Sequence, residues 1–233
     1  MKHLKISIIG CSVAIRIRPP ETTNNKNYGQ LLLEKLSKKY SDYCIYVNNK
    51  AFTRATLKDI YPKIDDVISD YPNYIILNIG IPDVSTREIP RFISNLLTYK
   101  PHYKIVLLMQ FLYNLIIKPN IKFFVLIRGK RPWVSKNKFE KLYTKLVVYI
   151  QKETNAKIII IPINKPSQRI ENILPGTIKN VVDYNVIIEK IAHKYKIDLL
   201  NIEDMEQEEL FPDGIHYSLK GHEIISSKII DLI

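Results

Sequence analysis

Two nucleophile types stand side by side near the start of the chain, Cys11 and Ser12 in the stretch IIGCSVAIR. Near the other end, PDGIHYSLKGH holds Asp213 and His216 in an Asp-x-x-His spacing. One turn of that length can hold a carboxylate against one imidazole nitrogen and leave the other nitrogen facing a hydroxyl. A serine needs such a base to accept its proton before it attacks an acyl carbon. By itself the spacing is as readily structural as catalytic. Ser12 adds weight to it, because it follows an apolar run and falls at the end of a first strand.

Other chemistries find less support. Cys11 and Cys44 are the only cysteines, with no CxxC and no Cys/His cluster, so neither a disulfide framework nor a metal site is expected. A GxSxG elbow and a Gly-rich phosphate loop are both missing, and no cofactor is implied. The net charge of +12 raises the question of nucleic acid. Lysine and arginine are spread along the chain without a recognition signature, which argues against that partner. With 46% apolar and 25% charged residues, the balance is that of an ordinary soluble globule. The start, MKHLKISIIG, has too short an apolar run for a secretory signal and reads as the first strand of a cytoplasmic protein.

The elements that must position these groups follow from apolar periodicity. Strands are expected at Leu4–Ile9, Tyr43–Val47, Tyr74–Ile79, Ala156–Ile163 and Ile197–Leu200. Helical patterns cover Tyr28–Tyr40, Leu57–Ser69, Phe139–Ile150, Val182–Tyr195 and the stretch from Leu219 onward. This alternation predicts a three-layer α/β/α sandwich with a five-stranded, mostly parallel, flavodoxin-like sheet. No linker interrupts the 233 residues, so one domain over 1–233 is expected. Functional groups in such folds gather at the carboxyl ends of strands. That rule puts Cys11–Ser12, the segment after Val47, and Gly80–Asp83 at one rim.

The span 100–138 fits less well, holding VLLMQFLYNLII (Val106–Ile117) and KFFVLIRGKRPW (Lys122–Trp133). The first run is too short to cross a bilayer. A buried helix is the leading expectation. The alternatives are a lid, a self-association surface, or a peripheral contact with a membrane or lipid-linked substrate. The last draws on Lys118, Lys122, Arg128, Lys130, Arg131, Lys136 and Lys138, which surround apolar and aromatic residues. Oligomeric state is left open.

Taken together, the blocks resemble the SGNH, or GDSL-like, hydrolase superfamily, whose first block is Gly-Asp-Ser where this chain has Gly10-Cys11-Ser12. The second block is represented by Asn49, Ala51, Arg54, Thr56 and Asp59, the third by Gly80-Ile81-Pro82-Asp83, and the last by Asp213 and His216. The resemblance implies Ser12 as nucleophile, His216 as base and Asp213 as the carboxylate that orients it. It implies backbone N–H donors for the oxyanion from Ser12 and Arg54, with Asn49 and Asp83 as supporting residues. The chain departs from the pattern at Pro82, where the family asparagine donates to the oxyanion and proline has no donor. Loss of one such donor costs roughly 3–4 kcal/mol of transition-state stabilisation. Arg87, in IGIPDVSTR, is a candidate replacement, because this block looks like a variant found in SGNH-like proteins of bacterial polysaccharide clusters.

Several residues carry plainer expectations. Cys11 occupies the family's aspartate position and reads as a buried, inert packing residue, and Cys44 as core. Asp59 and Asp83 are expected to hold loops, and His222 to be a surface or helix-packing residue. Neither His3, His102 nor His193 belongs to a pattern. The run Glu203–Glu209 reads as a solvated loop, and Trp133 as a rim or core aromatic that could alternatively stack on a sugar. Three readings follow. The first is a serine-dependent esterase or O-acyltransferase acting on an acylated sugar or glycan intermediate. The second is a catalytically weak or inactive glycan-binding or scaffold protein of that fold. The third is an unrelated α/β protein, which predicts Ser12 and His216 far apart.

Overall fold

The strand segments ISIIG, YIILN and KIII are near-continuous apolar runs rather than alternating ones, the pattern of strands buried on both faces. A computed structural model of the protein describes residues 2–19, 25–99, 103–205 and 208–233, with Glu208 described by its backbone alone. The strands are β1 (Lys2–Gly10), β2 (Tyr43–Ala51), β3 (Tyr74–Asn78), β4 (Lys157–Ile160) and β5 (Asp198–Leu199). They form one sheet in the order β2-β1-β3-β4-β5, and every pairing is parallel. That is the flavodoxin-like order, with its switch point between β1 and β3. All five expected strands form, with shifted ends. In particular β2 runs on to Ala51, so Asn49 lies within the strand rather than after it.

Helices cover both faces. On one, α1 (Tyr28–Lys39) packs on the C-terminal helix α11 (Leu219–Ile230), burying Leu32 and Leu36 with Ile225 and Ile229. On the other, α8 (Lys136–Glu153) packs on α10 (Thr177–Tyr195) around Phe139, Tyr143, Tyr184 and Ile188. α1 starts at a capping box in which the Asn27 side chain accepts from the Gln30 N–H and the Gln30 side chain accepts from the Asn27 N–H.

One expected helix is broken. Leu57–Ser69 is not one helix but α2 (Leu57–Ile60), a 3-10 turn at Tyr61–Lys63, and α3 (Ile64–Ile68). Pro62 is the physical reason, since it lacks the N–H a continuous helix needs. After β3, α4 (Ile81–Val84) starts at once, with Pro82 in its first turn and Ile81 to Val84 all buried. Arg87 lies on no helix, between α4 and α5 (Arg91–Tyr99).

The largest correction concerns 100–138, of which residues 100–102, including Lys100 and His102, lie outside the described residues. It holds α6 (Lys104–Leu112), a π-helical turn at Tyr113–Ile117, a 3-10 turn at Lys118–Asn120, and α7 (Ile121–Ile127). This is not a buried helix. Val106 and Val125 point inward, but Leu107, Leu108, Phe111, Leu115, Ile116 and Phe123 are exposed. Both faces of the sheet already carry helices, so no layer remains to cover these side chains. Among the described residues, no helix is long and apolar enough to cross a membrane. The short α9 (Gln168–Ile173) precedes α10. In the acidic stretch, Glu206 and Gln207 lie outside the described residues, while Met205 and Leu210 on either side are buried anchors.

Candidate active site

β1 ends at Gly10, and the chain turns at once into a 3-10 turn, Ser12–Ala14. The turn is held from below: the Cys11 N–H donates to the Asn78 carbonyl at the end of β3, and the Asn49 side chain donates to the Ala14 carbonyl. Gly10 is small for a reason, since a Cβ there would sit 2.8 Å from the Ala14 Cβ and 3.0 Å from the Asn78 carbonyl oxygen. Ser12 is thereby fixed at the switch point with its side chain nearly buried.

The second half of the site comes from the turn before α11. Asp213 Oδ1 accepts from the backbone N–H groups of Ile215 and His216, which closes the turn locally. Gly214 adopts φ +86°, and a Cβ there would lie 2.3 Å from Ser167 Oγ. The turn is docked through the Ser167 N–H to the Gly214 carbonyl and the Asn164 amide to the Ile215 carbonyl.

These two halves meet. His216 Nε2 lies 2.9 Å from Ser12 Oγ, and His216 Nδ1 lies 2.8 Å from Asp213 Oδ2. The reading of an unrelated α/β protein expected these two residues far apart, and they are in contact. With the ring proton on Nδ1 donated to Asp213, Nε2 accepts from the serine hydroxyl. Burial alone would raise the Asp213 carboxyl, but hydrogen bonds from the His216 ring and backbone hold it well below the ordinary carboxylate range. Arg18, which no motif in the sequence marks, donates from Nε to Asp213 Oδ2 at 3.1 Å. Its only signal in sequence is a position shortly after the nucleophile turn, in IRIRPP.

Cys11 points away from this chemistry. It is buried, and burial pushes its thiol up to about 12, so it stays protonated against the backbone of Val13 and Gly80. Cys44 is only half-buried in β2 rather than a core residue. His222 is fully buried, not superficial. Its Nδ1 accepts from the Tyr28 N–H and its Nε2–H donates to the Arg16 carbonyl, so it ties α1 to the loop behind Ser12. Only the neutral ring can do both, and burial pushes its pKa down to about 4.

The remaining second- and third-block residues separate into two groups. Arg54 sits at φ +62°, a left-handed backbone that glycine adopts without cost and arginine does not. Its guanidinium donates to Ser94 Oγ and Thr98 Oγ1, which anchors it there. Asp83 is wholly buried. Its Oδ1 accepts from the Leu57 N–H at the start of α2, and burial pushes it up to about 8, so it does not face a substrate. Asp59 accepts from the Thr56 N–H and from Arg91. Asn49 is spent on internal bonds to Ala14 and the Ala51 N–H. Arg87, Arg54, Glu88, Tyr113 and Trp133 line a separate polar cavity of roughly 270 Å³, which Ser12 and His216 do not line. Arg87 Nε is buried there without a hydrogen-bond partner among the described residues. Trp133 is not free to stack on a sugar: Arg87 and Arg91 lie 4.3 and 4.4 Å from its ring centroid, and its Nε1–H donates to the Ile89 carbonyl.

No family model matches the sequence, and no curated protein matches it. Solved structures do share its fold. An acetylxylan esterase from Geobacillus stearothermophilus superposes with a TM-score of 0.63 at 19% identity, covering 98% of this chain and 93% of that one. A lipase/acylhydrolase from Enterococcus faecalis gives 0.64 at 12% identity, with coverage of 99% and 95%. The acetyl xylan esterase AlAXEase gives 0.64 at 17% identity, with coverage of 99% and 100%. At these identities the similarity establishes a common three-layer architecture over essentially the full length.

Proposed function

We propose that this protein is an SGNH-like serine esterase or O-acyltransferase acting on an O-acyl, most simply O-acetyl, carbohydrate. The observation that carries the reading is the hydrogen-bonded line from Ser12 Oγ through His216 to Asp213. The esterases among its structural neighbours support it at the level of fold. In this mechanism His216 Nε2 takes the Ser12 proton as Oγ attacks the acyl carbonyl. The negative oxygen that forms is met by the backbone N–H groups of Ser12 and Arg54. His216 then gives its proton to the departing sugar oxygen, leaving an acyl-serine. Water or an acceptor hydroxyl, deprotonated by His216, releases the acyl group and restores Ser12.

Arg54 is the telling departure from the family pattern. Its left-handed backbone keeps the conformation that a glycine would have at that point, which supports a donor role for its N–H. We assign Arg87 to binding a substituent of the substrate in the neighbouring polar cavity rather than to the oxyanion. A second reading, glycan binding without turnover, is favoured by one observation: Pro82 stands where the asparagine donor belongs.

The test is acyl release from chromogenic short-chain esters and acetylated xylo-oligosaccharides, with and without acceptor sugars. Wild type is expected to turn over, Ser12→Ala to lose at least roughly a thousandfold in kcat, and a serine-directed phosphonate to label Ser12 rather than Cys11. Unchanged turnover in Ser12→Ala would sink the mechanism, and glycan binding with no turnover in wild type would establish the second reading.

A further inference from the structure

Between Glu88 and Glu140 the chain has no acidic residue at all, although the whole sequence has 23. The same stretch carries ten lysines and arginines: Arg91, Lys100, Lys104, Lys118, Lys122, Arg128, Lys130, Arg131, Lys136 and Lys138. Within it, α6, the turns that follow and α7 present an exposed apolar surface. Leu108 is 53% exposed, Phe111 60%, Leu115 60% and Phe123 59%. Soluble monomers rarely leave so many large apolar side chains together in water.

The segment is attached to the body through its inner side. Val106 and Val125 are buried, the Gln110 amide donates to the Leu97 carbonyl, and the Tyr113 hydroxyl donates to Glu88. Its apolar side chains are thus a fixed outward face rather than a misplaced core. From these observations we infer that 104–127 is an interfacial helical segment that docks the protein on an anionic lipid bilayer, lying in the headgroup region with Leu108, Phe111, Leu115 and Phe123 inserted and lysines on the phosphates.

Charge selects this occupant. A two-fold contact between copies would set one predominantly basic segment against another, which costs rather than gains. An anionic membrane offers both an apolar interior and a negative surface, and each lysine near it strengthens binding by about fivefold. The helices are too short to span the bilayer, so the contact is one-sided. The inference is independent of the acyl chemistry.

The experiment is flotation of the full-length protein with vesicles of phosphatidylcholine alone and of phosphatidylcholine with phosphatidylglycerol, at low and high salt. Binding is expected to the anionic vesicles, with a several-fold loss at high salt. Phe111→Ser/Leu115→Ser/Phe123→Ser should lose roughly tenfold or more in binding while keeping the wild-type circular dichroism and melting temperature, since all three side chains are exposed. Lys118→Gln/Lys122→Gln should weaken anionic binding and leave the fold intact. Binding of the triple variant equal to wild type would overturn the inference, as would absence of binding to anionic vesicles. A dimer in solution that the triple variant abolishes, with no vesicle binding, would assign the face to self-association and overturn it equally.

Discussion

A carboxylate 2.8 Å from His216 Nδ1 leaves the ring one useful tautomer, and that makes Asp213 the most informative position after Ser12. An asparagine in its place keeps the size but can present an N–H to the ring, so the proton moves to Nε2 and the base is lost. Asp213→Asn is expected to lower kcat by roughly 10⁴ with little change in KM. Arg18 touches the same carboxylate, but both side chains are about a third exposed (28% and 33%). A partly solvated pair of this kind contributes only about 1 kcal/mol, so Arg18→Ala should cost no more than about tenfold. Steady-state kinetics on one soluble ester checks both. A larger loss for Arg18→Ala than for Asp213→Asn would mean that the arginine contacts substrate rather than steadying the carboxylate.

At the scale of elements, the catalytic turn depends on its seat against the segment before α9. Gly214 combines a positive φ with a contact that leaves no room for a methyl group. Gly214→Ala is expected to destabilise the protein by about 1–3 kcal/mol and to lower kcat through displacement of His216. Ser167→Ala in the same chain removes the nearest clashing atom, Oγ, and should recover part of both losses. Denaturant unfolding and kinetics on the two variants read this directly. None of it was visible in PDGIH itself, because Ser167 and Ile170 are brought there by the path of the chain after β4. Segment 104–127 stays exposed for a related reason: an apolar run predicts burial only if a layer remains to bury it.

For the whole molecule, two buried titratable groups pull stability in opposite directions. His222 is neutral in the fold, with a pKa moved from 6.5 down to about 4. Its contribution is complete above 6.5 and is lost as pH falls through 4. Asp83 is moved from 3.8 up to about 8, so its contribution is complete below 3.8 and is lost as pH rises through 8. Between pH 4 and 6.5 the two slopes, each at most about 1.4 kcal/mol per pH unit, oppose one another. From 6.5 to 8 only the Asp83 slope remains, so wild type should lose stability there. Asp83→Asn should abolish that alkaline loss and expose a loss on the acid side, and His222→Asn should do the reverse. Unfolding free energies measured from pH 4 to 9 for the three proteins test the assignment. Identical pH profiles would refute it.

The sequence alone determined what depends on neighbours along the chain. Apolar runs of strand length set five strands, and the Asp-x-x-His turn brings Asp213 to His216 because i and i+3 meet within one turn. Even the absence of acid between Glu88 and Glu140 could be read directly. Tertiary structure decided everything that depends on parallel crossovers, which return distant segments to one rim. It brought His216 to Ser12 across 204 positions, Arg18 to Asp213 across 195, and His222 to Tyr28 across 194. It also decided which apolar surface stays exposed, because that depends on the space the other layers leave. Local spacing can nominate a base and a nucleophile, but only the sheet's switch point sets one within reach of the other.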